Sequence, residues 1–213
     1  MKRTLLLSLC ILLSYTFSNA QIAVYVVEPQ SLSGSLDFTW GDPPTWGTAD
    51  LNDPAESVQD TILLVDDGTA EDSLGCNPLV NDLTGKIAVV YRGDCQFGTK
   101  ALNAQNAGAV GVIIINNVTG GPVGMNGGTD GPNVTIPVVM ISEDDGAFLR
   151  AGMDQGLDIV VFIGNKTGFF SHDLGMAPND VLIPRATGNP VITSLDTGEW
   201  NIPMGAWIFN YGT

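Results

Sequence analysis

Catalysis in this chain would have to run through very few groups. The chain has 1 histidine, His172, set in Ser171-His172-Asp173. A catalytic zinc takes three protein ligands and leaves one position for water, so a lone histidine with no H-E-x-x-H pair falls short of a metallopeptidase centre. A serine hydrolase needs a nucleophile, a base and an orienting carboxylate that converge side chain to side chain. Ser171, His172 and Asp173 are instead consecutive, and no G-x-S-x-G elbow occurs. His172 therefore reads as a surface residue beside an acid. With 23 acidic residues some carboxylates must lie close together, so proximity alone assigns no glycosidase pair. The acidic turn DDGTAED, 66 to 72, lacks the alternating oxygen ligands, central glycine and terminal glutamate of an EF-hand loop, and reads as solvated. An acidic chain is compatible with calcium, but nothing in this spacing selects it. No catalytic residue, metal ligand or cofactor is assigned.

Of the 3 cysteines, Cys10 lies in an N-terminal stretch with a basic start at Lys2 and Arg3, an apolar run from Leu5 to Leu13, and small residues at Ser18-Asn19-Ala20. That is the pattern of a secretory signal peptide cleaved after Ala20. The run is too short, and too soon interrupted by Ser14 and Thr16, to span a membrane. Leu9 is too bulky to precede a lipid-attachment cysteine. Cleavage leaves Cys76 and Cys95 as an even pair in an oxidising compartment, where a bridge is expected. Closing that loop stabilises by about 3 kcal/mol on the chain-entropy estimate. A redox or metal role for them finds no C-x-x-C pair and no histidine cluster. The formal charge of −15 becomes two units more negative once Lys2 and Arg3 are removed. Such a balance repels nucleic acid and anionic membrane surfaces, so the chain reads as an acidic, secreted, extracellular protein.

The side chains left with chemistry to offer must be positioned by a fold that the apolar pattern outlines. At 213 residues the chain has room for one substantial domain plus appendages. Ile87 to Tyr91 and Val110 to Ile115 are short, continuous and β-branched, as strands buried on both faces are. Between them Phe97, Ala101, Ala104 and Ala107 recur at helical spacing, and Gly108 is placed to end that helix in a left-handed turn. A second strand, helix and strand follows. Ile136 to Ile141 leads into a capping box at Ser142-Glu143-Asp144-Asp145, then a helix expected to bury Ala147, Phe148 and Ala151 and to stop at Gly152 or Gly156. Leu157 to Ile163 is the next strand, and Ile62 to Val65 is a further short buried one. The alternation gives an α/β core. Before it, Ile22 to Val27 reads as a strand and Gly41 to Pro54 as turns, with Trp40 and Trp46 expected to cage a small core under a loop rather than to grip a sugar or peptide.

Three features stand out as binding candidates. Asn117 to Thr135, NVTGGPVGMNGGTDGPNVT, is too long for an ordinary connection and reads as a mobile binding flap, so that deleting Gly120 to Gly131 should leave the fold intact. It contains no G-x-x-x-x-G-K-[ST] phosphate loop. Arg92 ends a strand where ligands of open α/β sheets collect, and Lys100 lies on the short helix facing an acidic loop; for both, an ion pair holding the strand-helix turn is the competing reading. Asn117, Asn133 and Asn165 begin N-x-[ST] sequons and are possible glycosylation sites.

Taken in order, these residues resemble the protease-associated (PA) domain family. The resemblance runs from Leu63 to Ile163 and rests on DDG at 66 to 68, the Gly75-Cys76-Asn77-Pro78-Leu79 turn, and GKIAVV at 85 to 90 followed by Arg92-Gly93-Asp94-Cys95-Gln96-Phe97 and Lys100. Asn103-Ala104-Gln105-Asn106-Ala107-Gly108-Ala109, Gly111-Val112-Ile113 and Ile136-Pro137-Val138-Val139-Met140-Ile141-Ser142 complete it. It implies a mixed β-sheet with flanking short helices. It also implies a non-catalytic attachment to secreted or luminal proteins, such as subtilisin-like proteases, zinc peptidases and sorting receptors, that influences substrate access or binds peptide segments. Cys76 and Cys95 match a pair that many members bridge. The implied groove would draw on Arg92, Gly93, Phe97 and Lys100 around the 92 to 98 turn, and on Asn117, Gly120, Gly121 and Asn126 in the glycine-rich loop. Its partners would be peptide or protein segments, or a downstream domain of the same polypeptide.

The expected organisation is then a signal peptide at 1–20, N-terminal strands and loops packing on the core at 21–60, a PA-like domain at 61–165, and a β-rich extension at 166–213. That extension is read as a linker and the start of a β-sandwich domain: residues 175 to 213 resemble the lead-in to an immunoglobulin-like sandwich repeat of secreted bacterial proteins, and the strand-like end marks this as the expected N-terminal part of a longer protein. One alternative is a secreted protease or other hydrolase whose catalytic domain lies beyond Thr213. Another is a structural or adhesive surface protein.

Overall fold

The β-branched runs form neighbouring strands at the middle of an eight-stranded mixed sheet. The computed structural model describes residues 22–167 and, beyond them, two-residue strands at 174–175, 181–182, 205–206 and 209–210. The signal-peptide reading, His172 and most of the C-terminal extension lie outside the described residues. The strands are β1 (Ile22–Glu28), β2 (Gly34–Ser35), β3 (Phe38–Trp40), β4 (Val58–Leu64), β5 (Ile87–Tyr91), β6 (Gly111–Ile115), β7 (Val138–Ile141) and β8 (Val160–Asn165), in the order β2-β1-β8-β4-β5-β6-β7-β3. From β4 to β7 the neighbours are parallel, and every other pairing is antiparallel. Helix α1 (Phe97–Asn106) links β5 to β6, and α2 (Glu143–Asp154) links β7 to β8. The second strand-helix-strand is thus no copy of the first, because β8 runs antiparallel between β1 and β4.

Only Leu36 and Asp37 separate β2 from β3, although these strands stand at opposite ends of the sheet order. The sheet therefore curls until its ends nearly meet. An apolar hollow of ≈ 450 Å³ at that seam is lined by Ile22, Val24, Leu36, Phe38 and Trp40 among others. Ile22 of β1 lies opposite Asn165 of β8.

Side-chain alternation divides the buried strands between two cores. Ile87, Val89, Ile113, Ile115, Val139 and Ile141 meet Val24, Val26, Val161, Ile163 and Leu149 of α2. Ala88, Val90, Val112, Ile114, Val138 and Met140 meet Ala101 and Ala104 of α1, with Trp46, Met125 and Val134. Covering on both faces is why these runs show no polar alternation.

Helix α1 buries Ala101 and Ala104 as expected, and Gly108 follows it at φ 94°. Helix α2 does not bury the expected stripe. Ala147, Phe148 and Ala151 are exposed, and Gly146, Leu149 and Gly152 face inward. A Cβ on Gly146 would overlap Ile115, and one on Gly152 would come within 2.8 Å of Ile159, so the helix lies too close to the sheet for larger residues on that face. Ser142 caps α2 as read from the sequence, its Oγ accepting from Asp145 N at 3.1 Å. Of the two tryptophans, Trp46 is buried and donates from Nε1 to Met125 O at 3.0 Å, whereas Trp40 on edge strand β3 is 38% exposed.

Residues 167–213 form a second compact unit, in which Leu174–Gly175 pairs antiparallel with Phe209–Asn210 and Val181–Leu182 with Gly205–Ala206. Among the described residues no helix is long and apolar enough to cross a membrane.

Candidate functional site

The carboxyl ends of β5 and β6 set the geometry of the site. After Tyr91 the chain turns through Gly93 (φ 146°) and Asp94 (φ 53°), reaches Cys95 and enters α1 at Phe97. After Ile115 it reaches Asn116, buried at 2% exposure although polar. Arg92 donates from Nη1 to Asn116 Oδ1 at 2.9 Å, and Asn116 Nδ2 donates to Val118 O and Gly121 O, each at 3.0 Å. One amide thus clasps the strand-helix turn to the first part of the glycine-rich loop. A buried amide with both ends bonded is held in one orientation. The competing reading of Arg92 was an ion pair, but its partner here is neutral.

The glycine-rich loop is less free than its composition suggests. Its second half is built into the fold: Thr129 N donates to Gln96 Oε1 at 3.0 Å, Thr99 Oγ1 to Asp130 Oδ2 at 2.6 Å, Thr135 N to Gln105 Oε1 at 2.7 Å, and Gly47 N to Gly131 O at 3.0 Å. A Cβ on Gly98 would overlap Gly127 O, so these glycines permit backbone-to-backbone packing rather than motion. Deleting Gly120 to Gly131 would remove Met125, Gly127 and Gly131, all buried, so the deletion is expected to disturb the fold rather than leave it intact. The exposed part is 117 to 124, where Thr39 Oγ1 donates to Val123 O at 2.7 Å and Val118 and Val123 are 54% and 38% exposed.

The candidate binding residues therefore separate. Arg92 and Gly121 bond to Asn116, Gly93 lies beside Asn117, and Gly120 stands on the same exposed stretch of loop. Phe97 packs, half-buried, against the second core. Asn126 is exposed and closes its own turn by accepting from Gly128 N at 2.9 Å. Lys100 is wholly buried and lines no open groove; its Nζ donates to Leu74 O at 2.6 Å and lies 3.5 Å from Cys76 Sγ. Burial pulls its pKa down to about 8, against the upward pull of Asp94 and Asp67. Of the sequon asparagines, Asn117 and Asn133 are exposed, but Asn165 is buried with Nδ2 donating to Asn52 O at 2.7 Å, which removes it as an acceptor in the folded chain.

Cys76 and Cys95 are bridged, with Cα atoms 5.7 Å apart. The acidic turn before them is not simply solvated. Asp67 is 5% exposed, and its carboxylate accepts from Thr69 N and Oγ1, Cys76 N and Asn77 N. Asn103 Nδ2 donates to Gly75 O at 3.0 Å, tying α1 to the same turn. Sequence reasoning missed Asn116 and Asp67. The signal for Asn116 was a polar residue directly ending a wholly apolar strand. Among the described residues no group of three or more His, Cys, Asp or Glu is placed to hold a metal ion.

The family profile described as PA domain matches residues 41–149. The Minor extracellular protease Vpr of Bacillus subtilis (strain 168) is 31% identical over 136 residues, covering 58% of this chain and 16% of that protein. A Probable leucine aminopeptidase 2 of Aspergillus fumigatus is 42% identical over 109 residues, covering 47% of this chain and 22% of that protein. The matched region is a small part of either relative. Among solved structures, an aminopeptidase from Aneurinibacillus sp. strain AM-1 has a TM-score of 0.50 over 70% of this chain and 31% of its own, at 24% identity, a likeness of fold.

Proposed function

This chain belongs to the PA domain family, and on that premise we propose that residues 22–167 are a non-catalytic module of a secreted protein, one that engages peptide or protein segments or governs substrate access to a partner domain. The observation that carries the reading is the clasp of Arg92, Asn116 and the 117 to 121 loop at the carboxyl ends of the parallel strands β5 and β6, which fixes an exposed loop beside the strand-helix turn. Beside the clasp, Gly120 and Gly124 have open space around them and leave backbone donors and acceptors accessible to an extended segment, while Val118 supplies an apolar contact. A fixed loop of this kind binds with less ordering cost than a free flap.

Panning the secreted chain against a random peptide library, then repeating with Arg92→Ala and Val118→Asp, tests the surface. Each substitution should weaken the selected peptides about tenfold, roughly 1.4 kcal/mol. Undiminished binding in both variants, with thermal stability preserved, would exclude this surface.

A second reading takes this chain as part of a longer protein. Its similarity to an extracellular protease and a leucine aminopeptidase favours a secreted peptidase whose catalytic domain follows Thr213. The coding sequence downstream decides this: a triad or zinc motif supports it, whereas repeats ending in a surface anchor favour an adhesive protein.

A further inference from the structure

We infer that the Cys76–Cys95 bridge is a directed thiol-exchange site, in which a small extracellular thiol is captured on Cys95 while Cys76 departs as a thiolate held by the Lys100 ammonium. The two sulfurs sit in unlike surroundings. Lys100 reaches out of α1, is shielded completely from solvent, and brings Nζ to 3.5 Å from Cys76 Sγ, with Leu74 O as its other partner at 2.6 Å. Cys95 is preceded by the exposed carboxylate of Asp94, held in a left-handed turn. A neighbouring cation favours a thiolate and a neighbouring anion disfavours it.

The groups facing Lys100 are Asp94 from the turn and Asp67 from the preceding loop. Asp67 also lies near Cys76, since its Oδ2 accepts from Cys76 N, and its negative charge works against a Cys76 thiolate, although donors from Thr69 and two backbone N–H groups face that carboxylate and the ammonium alone touches the sulfur. The ammonium is thus the charge in direct contact with the departing sulfur. At neutral pH Lys100, with its pKa near 8, is mostly cationic, so the stabilising charge is present when exchange occurs.

In exchange, the attacking thiol first loses its proton to solvent. Its sulfur then bonds to Cys95 Sγ as the Cys76–Cys95 bond breaks, and the pair of electrons from that bond goes to Cys76 Sγ. One disulfide replaces another, with no net oxidation. The sulfur with the lower thiol pKa leaves faster, which selects Cys76 as leaving group and Cys95 as the site of S-thiolation. Opening the bridge removes the covalent tie between the 67 to 77 loop and the turn that leads into α1, leaving the Lys100 and Asn103 hydrogen bonds to Leu74 O and Gly75 O.

The test treats the oxidised secreted protein with millimolar glutathione at pH 7, quenches with acid and maps the adduct by peptide mass spectrometry. The expected result is glutathione on Cys95 with a free thiol on Cys76, at least tenfold over the reverse. Lys100→Met should abolish that preference and Lys100→Arg should retain it. Equal adducts in the unaltered protein, or an excess on Cys76, would overturn the inference. Because Lys100→Met also disturbs a buried position, the single-thiol variants Cys95→Ser and Cys76→Ser give an independent measurement. The pH dependence of iodoacetamide alkylation should place the Cys76 thiol below the ordinary value of about 8.5 and the Cys95 thiol at or above it; equal values or the opposite order would overturn the inference as well.

Discussion

Asp67 spends its charge on structure: four hydrogen bonds converge on a carboxylate that is almost wholly buried. Burial opposes its ionisation, but the donors from Thr69, Asn77 and Cys76 outweigh it, and the pKa falls below the ordinary 3.8. A carboxyl whose folded pKa is depressed stabilises the fold above its unfolded pKa and loses that contribution as pH falls through the folded value. Urea midpoints measured from pH 7 to pH 2 should therefore drop below pH 4 more steeply in the unaltered chain than in Asp67→Asn. At pH 7 the substitution should cost about 1–3 kcal/mol, because it weakens the acceptor shared by buried donors. Lys100 gives a slope at the other end of the scale. Its folded pKa near 8 lies below its ordinary 10.5, so between these values the unfolded chain binds more protons and stability rises with pH. Lys100→Met should flatten the rise between pH 8 and 9.5, and an equal rise in both proteins would remove Lys100 as its source.

At the scale of elements, the contact of α2 with the sheet inverts the usual preference for alanine over glycine. Helix propensity alone favours Gly146→Ala by about 1 kcal/mol. The new methyl would overlap Ile115, so overpacking should prevail and lower stability by about 1–3 kcal/mol, read as a lower melting temperature. Phe148 stands on the outer face of the same helix at 43% exposure, and Phe148→Ser should shift stability by no more than about 0.5 kcal/mol. A large loss there would restore the stripe of Ala147, Phe148 and Ala151. That stripe failed because periodicity weighs apolar side chains and is blind to a glycine face, where close approach replaces side-chain area. The same blindness made Gly127 and Gly131 look mobile, although they let the loop lie against α1 and the Thr45 backbone.

For the whole molecule, the β5-α1-β6 unit was legible because its signals are local: two strand runs, a helical stripe and a terminating glycine. The curl of the sheet was not, since β1–β8, β4–β8 and β3–β7 join segments far apart in sequence, and nothing in a short strand names its partner. Asn116 was hidden for a related reason, because its partners Arg92, Val118 and Gly121 are brought to it by strand adjacency and a loop return. The register that places Ile22 opposite Asn165 has a further consequence. Opposed Cα atoms in an antiparallel pair are about 4.5–5.5 Å apart, so the folded unit begins and finishes at nearly one point. It has the geometry of a cassette: a host loop would need to part by only that distance to accept it, at small cost in loop closure. A circular permutant with Ile22 and Asn165 joined by a short glycine-serine linker and new ends between Thr119 and Gly120 should keep its cooperative unfolding transition. Loss of that transition would mean that the order of the strands along the chain, and not only their adjacency, is needed for folding.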